Sequence, residues 1–475
     1  MNTYLKTINI NKLLPVIKQI IRSLPVLLQI VLLSSSTFAR PVNRQQAETA
    51  AYNFLYNKAD VLIKKSFSLE LKKVYYNEQS NFPLYYIFDI NPIGFVIVTA
   101  DDNLVPVIGY SFEEKYEENL NPVQNWWLHL QTTHAIKNMK ESPEIQALWQ
   151  SLANKPAIKS TKEVLPLCST KWNQDTHYNY YCPEDSNGPG NHAYAGCVAT
   201  AMGQVMKYWN YPSNGEGGYA YQHIWPMYFN NYGVIQANFG ATTYNWPNMP
   251  AQVNVTNCEE VATLLFHCGV SVKMNYGPDG SGAKTESVPF ALKHYFKYDE
   301  SIGFIERSNI EPAIWNSIII DQLEKGLPMV YSGSDATEGH AWVVDGYQDS
   351  SYFHVNWGWS GANNGYFYFS DLNSGNGDFT AYQQAVINIF PKGLTGVSTS
   401  CDKAFTAYPN PASSYIYFSN RPLDAMLKIY DMNAMLVKAT EGNNALYIGD
   451  LKNGFYIAEF ISQNRAYRTR FCIIH

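Results

Sequence analysis

The chain has 475 residues, 46% of them hydrophobic and 16% charged, with a formal net charge of −6. That length exceeds one typical core and points to two to four domains. The sparse charge forms no basic stripe, which excludes an electrostatic case for nucleic acid.

The first segment carries Lys6, Lys12, Lys18 and Arg22, then the apolar run "LPVLLQIVLL", then small residues up to Ala39. This is the order of a secretory signal peptide over residues 1–39, with cleavage expected after Ala39. Its apolar core is too short to span a bilayer, and no other stretch reaches spanning length. Residues 40–160 follow with a helical pattern, "QQAETAAYNFLYNKA", and strand-like runs, "FPLYYIFDI" and "GFVIVTADDNLVPVIGYS". They end in a polar helical stretch running into "ANKPAIKSTKE". Lysines and a proline there suit an exposed, cleavable connection, so a boundary is expected near residue 160.

Residues 161–395 open with helices predicted over 198–209, 259–268, 288–296 and 312–325. The pattern then changes to short strands, "LPMVYSG", "HAWVVDGY", "YFHVNWGW", "GYFYFSD" and "QAVINIF". Helices followed by an antiparallel set of strands indicate an α+β domain. Beyond "KGLTGVSTS", residues 403–475 alternate strands with Asn/Gly/Pro turns and read as a small β-sandwich.

Cys197 stands at the start of "AGCVATAMGQVMKYWNYP", where Val198, Ala201, Met202, Val205, Met206 and Trp209 recur at helical spacing and Pro212 ends the run. In a first turn, free N–H groups and the helix dipole favour thiolate over thiol. The alternative is a buried small hydrophobe, and position alone does not decide. Export permits disulfides among the seven cysteines. Cys258 and Cys268, at the two ends of one predicted helix, lie about 15 Å apart and cannot bond each other. No CxxC or paired HxxxH occurs, so no metal site is supported and no cofactor is expected.

A thiolate nucleophile needs a base and an oxyanion site. In "EGHAWVVDGY", His340 starts a buried-looking strand just after Gly339, which permits close backbone approach. His354 in "YFHVNWGW" is the rival, but it can point to the opposite face from its neighbours. In "HVNWGWSGANNGYFYF", Asn356 and Trp357 fall on the next strand, where one could steer the imidazole and the other shield it from water. Core packing is the other reading of Trp357 and Trp359.

The runs "KWNQDTHYNYYCP", "GCVATAMGQVMKYWNYP", "GHAWVVDGY" and "HVNWGWSG" occur in that order and together resemble the streptopain (C10) family of secreted cysteine peptidases. The resemblance covers about residues 168–391. It implies a papain-like α+β catalytic domain, with a helical half and an antiparallel sheet half, that cleaves protein or peptide substrates. Cys197 would be the nucleophile and His340 the general base and acid, a spacing of about 140 positions as in papain-like enzymes. The "NQDTHYN" stretch would place Gln174 in the oxyanion hole beside the Cys197 N–H, with His177 where the family has proline. When Trp357 is matched to the papain tryptophan, Val355 falls where the third triad member would stand. The family then resembles a Cys-His dyad, with Asn356 in a supporting role.

Substrate backbone is expected near Gly339. The loop "YGPDGSGAK" resembles the family loop on the opposite wall, which makes Ser281 and Gly282 candidate contacts, with a flexible surface turn as the alternative. Residues 40–160 resemble the α+β inhibitory propeptide of these enzymes, so the chain's own propeptide would be its inhibitor. Residues 403–475 resemble the sorting domain of the type IX secretion system of Bacteroidetes, with Ala434 where a glycine is usual. That resemblance implies the type IX machinery as a partner and export through periplasm and outer membrane, to a secreted or cell-surface location. A Cys-His acyltransferase on the same scaffold and a non-catalytic surface binding protein are the competing functions. The intact set Gln174, Cys197, His340 and Trp357 argues against the second.

Overall fold

The computed structural model describes residues 41–58, 67–77, 81–118, 128, 132, 142–154, 163–310, 312–334, 339–369, 383–394 and most of 407–473. The signal peptide, the boundary near residue 160 and the linker before residue 403 lie outside the described residues.

The described helices are α1 (Arg44–Lys58), α2 (Pro143–Ala153), α3 (Cys197–Trp209), α4 (Glu259–Ser271), α5 (Val288–Phe296) and α6 (Pro312–Glu324). Strands β1 (Ser68–Tyr76), β2 (Pro83–Asn91), β3 (Phe95–Thr99) and β4 (Val107–Ser111) belong to the first segment. In the catalytic segment lie β5 (Glu163–Val164), β6 (Tyr219–His223), β7 (Gly233–Ala237), β8 (Gly303–Glu306), β9 (Met329–Ser334), β10 (Gly339–Gln348), β11 (Tyr352–Asn356), β12 (Gly365–Tyr368) and β13 (Gln384–Ile387). The α+β reading holds. The predicted helix at 198–209 begins one residue earlier, at Cys197, and the one at 259–268 continues to Ser271. The β6–β7 hairpin, β1 and β8 were not among the expected elements. β1 carries Lys72 and Lys73 and its burial merely alternates, as befits an edge strand, so its sequence lacks a strong apolar signal.

One antiparallel sheet unites the first segment with the catalytic one, in the order β1-β2-β3-β4-β12-β11-β10-β9-β13-β8, with β5 against β10. Interior strands such as β3 and β4 are buried on both faces. Along β10 the faces alternate. Val343 packs with Val198, Met202 and Leu265 of α3 and α4, whereas Val344 packs in a second cluster with Phe353, Phe367 and Trp315. That second cluster also takes in Ile87, Phe95 and Ile97 of the first segment, and a third joins Ala47, Ala51 and Phe54 of α1 to Val96, Tyr110 and Tyr352. Two cores therefore run across the boundary between the segments.

The C-terminal segment pairs a sheet of β14 (Ala407–Tyr408), β15 (Tyr415–Phe418) and β18 (Ala445–Tyr447) with one of β17 (Leu436–Glu441), β16 (Met426–Asp431), β19 (Gly454–Ser462) and β20 (Arg465–Ile473). Ile416, Phe418, Ile429, Phe460 and Phe471 fill the space between them, which makes the expected sandwich. Cys168, Cys182, Cys197, Cys258 and Cys268 are all free thiols.

The seam between the segments is short: Tyr366 pairs with Tyr110 and Phe367 with Gly109. Two glycines permit it. A Cβ at Gly109 would stand 2.6 Å from the Phe367 ring, and one at Gly365 would stand 2.5 Å from the Tyr110 carbonyl oxygen. Gly365→Ala should therefore destabilise the unprocessed chain by roughly 1–3 kcal/mol, the usual cost of overpacking. Thermal unfolding of the same substitution in a chain that lacks the first segment, and with it Tyr110, should show a much smaller loss.

Candidate active site

The site is built at the start of α3. Gly196 precedes the helix with φ 92° and ψ 141°, a conformation costly for any side chain. A Cβ there would also fall 2.6 Å from the Met274 methyl and 3.1 Å from the Ser281 carbonyl oxygen. Glycine at 196 is thus what lets the chain turn under the wall of the cleft and deliver Cys197 as the first helical residue. The remainder of α3 is driven by burial, from Val198 through Met206 without a break.

The backbone N–H groups of Ala341, Val198 and Cys197 itself favour the ionised form of the Cys197 sulfur. Burial nevertheless outweighs them and pushes the thiol up from its ordinary value. Of the two readings the sequence left open, a thiolate favoured by the helix start and a buried small hydrophobe, burial works for the second in this unprocessed chain. The cause is desolvation, which no cation among the described residues offsets.

His340, the second residue of β10, supplies no such cation. Its Nε2–H donates to the Trp357 carbonyl at 2.9 Å, and no hydrogen bond joins it to Cys197. The ring stacks against Trp342 and Trp359, each with a centroid distance of 6.1 Å. Burial lowers its pKa from the usual 6.5 to about 4, and the Trp357 carbonyl offsets part of that. Cys197 and His340 still face one cleft of about 780 Å³, together with Ser281, Gly282, Lys284, Glu286, Ser332, Gly339 and Gln384.

The other expected residues sort by their contacts. Gln174 is buried; its carbonyl accepts from Ala195 N–H at 2.8 Å, and its side-chain amide makes no hydrogen bond among the described residues. Asn356 does not steer the imidazole. Its amide donates to Thr170 O (2.6 Å) and Gln204 Oε1 (3.0 Å), and its oxygen accepts from Gly358 N–H (3.2 Å). Trp357 meets His340 through its carbonyl, while its ring packs on Trp342 and Phe367 at 5.2 and 5.3 Å. The aromatic faces over His340 are those of Trp342 and Trp359, and only Trp359 was weighed from the sequence. Ser281 turns its hydroxyl to Gly277 N–H (3.0 Å), and Gly282 exchanges both backbone hydrogen bonds with Asn275. Each lines the cleft, yet the Gly282 N–H is already committed. His354, the rival, is paired with buried Asp345 at 2.6 Å and stacks edge-on to Tyr366, outside the cleft.

The first segment reaches this site from the side. Glu117 N–H donates to Asn363 Oδ1 (2.7 Å) and Asn363 Nδ2 returns a bond to Glu117 O (3.0 Å), while Glu114 pairs with Lys171. The neighbouring Asn364 accepts from Trp357 N–H at 3.0 Å. The loop that carries the His340 acceptor is therefore clamped by residues of the first segment.

These protonation states set a pH dependence. The unfolded chain takes up a proton at His340 near 6.5, the folded chain only near 4, so this stability is full above 6.5 and is lost as pH falls through that window. His267, also lowered to about 4 by burial, adds to the same slope. Thermal unfolding of the unprocessed Cys197→Ala chain should show the midpoint dropping between pH 6.5 and 4. A His340→Gln change should make that drop shallower.

Comparison with known proteins agrees with this geometry. Residues 172–367 match the peptidase C10 family, residues 39–135 the Spi protease inhibitor family, and residues 406–474 the secretion system C-terminal sorting domain. The chain is 31% identical over 385 residues to streptopain of Streptococcus pyogenes, covering 75% of this chain and 94% of streptopain. It is 31% identical over 437 residues to the thiol protease/hemagglutinin PrtT of Porphyromonas gingivalis, with 87% of this chain aligned, but spans only about half (47%) of that protein's length. A solved fragment of Prevotella intermedia prointerpain A superposes with a TM-score of 0.55 at 32% identity, covering 68% of this chain and 100% of the fragment. The sorting domain marks a secreted or cell-surface protein, and no helix among the described residues is long and apolar enough to cross a membrane. With streptopain matched over nearly its whole length, the chain belongs to the peptidase C10 family and is a cysteine peptidase made as a zymogen.

Proposed function

We propose that Cys197 and His340 are the catalytic dyad of this peptidase and that the chain's own first segment is its inhibitor. The observation that carries the reading is that both side chains line one cleft, and the backbone N–H of Ala341, the residue next to His340, acts on the Cys197 sulfur. With Nε2–H held by the Trp357 carbonyl, Nδ1 of the neutral imidazole keeps its lone pair and takes the Cys197 proton. The thiolate then attacks the scissile carbonyl carbon, and the imidazolium gives its proton to the leaving amine. A thioester remains. Water, losing its proton to His340, attacks the thioester, and the acid departs as the cysteine sulfur is regenerated. The Cys197 N–H and the unengaged Gln174 amide are the oxyanion donors. Trp357 acts through its carbonyl and Asn356 as a support of the loop that carries it. Substrate lies between Gly339 on one wall and Ser281 and Gly282 on the other.

The domain limits of this reading are a signal peptide at 1–39, an inhibitory propeptide at 40–160, the peptidase at 161–395 and the sorting sandwich at 403–475. Cores shared across the seam support the inhibitor role, because a segment so packed stays bound until cut. The sorting domain supports export by the type IX machinery, through the periplasm and outer membrane.

Cys197→Ala should abolish hydrolysis and leave the fold intact, since alanine suits a helix start at least as well. His340→Ala should be nearly as damaging, as members of a catalytic unit are. His354→Ala should instead cost stability, because it leaves the buried Asp345 carboxylate with the Cys168 N–H but without its imidazole partner. Iodoacetamide should label Cys197 slowly in the unprocessed chain, where burial raises the thiol pKa, and selectively after processing; equal labelling before and after would contradict the inhibitor role of the first segment. Gln174→Ala should lower kcat by roughly 10²–10³ with little change in KM. A change confined to KM would make Gln174 a binding residue.

A further inference from the structure

The β6–β7 hairpin ends in a loop, residues 224–232, that the chemistry above does not use. Ile224, Trp225, Met227 and Phe229 on it are 41%, 69%, 77% and 83% exposed, while Tyr228 among them is buried. The loop is tied down by other groups. Tyr228 stacks on His223 with centroids 4.3 Å apart, and the N–H groups of Met227 and Tyr228 both donate to Ile224 O. His223 Nδ1–H donates to Asn230 O (2.9 Å), and the Tyr232 hydroxyl donates to Asp185 (2.6 Å). An anchored loop thus displays four large apolar side chains in water, which soluble surfaces ordinarily avoid in a cluster.

The same anchors join the loop to the cleft. His223 Nε2 accepts from Tyr276 N–H at 2.9 Å, and Asn230 Nδ2 donates to Tyr276 O at 3.3 Å. The next residue, Gly277, bonds to Ser281, which lines the cleft. From Tyr219 to Ala237 there is no Asp, Glu, Lys or Arg.

We propose that this loop is an exosite that binds exposed apolar segments of an unfolded protein substrate while the scissile part lies in the adjoining cleft. The proposal rests on the reading of that cleft as the peptidase site. An extended chain advances about 3.3 Å per residue, so residues flanking the scissile bond run along the wall to which the loop is bonded. Folded proteins bury such apolar residues, so a loop of this kind selects chains that have lost their fold. Methionine and flat aromatics suit varied sequences, since they adapt to many partners. The absence of lysine and arginine does not fit an anionic lipid surface, which draws on basic residues.

The test is the triple variant Trp225→Ser, Met227→Ser, Phe229→Ser in the full chain after maturation. Catalytic efficiency on reduced, carboxymethylated α-lactalbumin should fall about tenfold, mostly through KM, with hydrolysis of a short peptide amide changed less than twofold. Equal loss on both substrates, or loss on neither, overturns the exosite. So does a protein-specific loss that coincides with conversion of a dimer to monomer in sedimentation, or loss of binding to neutral lipid vesicles. A wild-type enzyme that cleaves neither substrate would refute the reading of the cleft instead. The exosite is then judged by binding alone, in the Cys197→Ala chain: fluorescence anisotropy with labelled, reduced α-lactalbumin should show affinity about tenfold weaker on adding the triple change, and equal affinity refutes it.

Discussion

The pairing of β4 with β12 is the constraint on which the rest of the molecule depends. Through it the inhibitor-family segment is a continuation of the catalytic sheet, sharing backbone hydrogen bonds and two apolar clusters with it. The seam also sets where the following residues go. Ser111 ends β4, its hydroxyl accepts from the Glu113 and Glu114 N–H groups, and the chain turns so that Glu117 meets Asn363. From there the contacts pass through Asn364 to Trp357 and from Trp357 to His340. Each step is an ordinary hydrogen bond. Their sequence explains how a surface pairing and a buried imidazole belong to one arrangement.

Much of the site could be read from residues alone because local patterns carry it. The apolar spacing behind Cys197 demanded a helix. The strand runs around His340 and His354 were equally clear. What could not be read is everything fixed by long-range contact. The bond from His340 to a carbonyl seventeen residues away depends on a side-chain rotation that no spacing encodes. Asn356 looked like an imidazole partner because its neighbours did, but Gln204, on the buried face of α3, and the Thr170 carbonyl claim its amide. Gln204 offered no signal beyond a polar residue in an apolar stripe. The sheet that spans two segments was likewise hidden, since strand sequences specify faces better than partners.

His354 shows how a buried polar cluster can imitate a catalytic one. Its partner Asp345 is fully buried and also accepts from the Cys168 N–H at 2.8 Å, while the Asp345 carbonyl accepts from Leu167 N–H at 3.0 Å. The carboxylate thereby pins the entry of the chain into the catalytic segment against β10. A histidine, a carboxylate and a cysteine lie together there, yet burial and the adjacent Asp345 push the Cys168 thiol well up, the opposite of what a nucleophile needs.

The brevity of the seam matters most once the first segment is gone. Excision turns β12 into the border of the sheet, with open N–H and C=O groups and with Phe367 stripped of Phe95 and Ile97. Long, flat borders of this kind recruit other chains and lead to aggregation. β12 has only four residues, and only two of them were paired with β4. A border that short offers little template for a foreign strand. The join is extensive in side-chain packing and minimal in backbone pairing, so a mature enzyme released among partly unfolded protein keeps few open backbone groups on which such chains could add themselves to the sheet instead of entering the cleft.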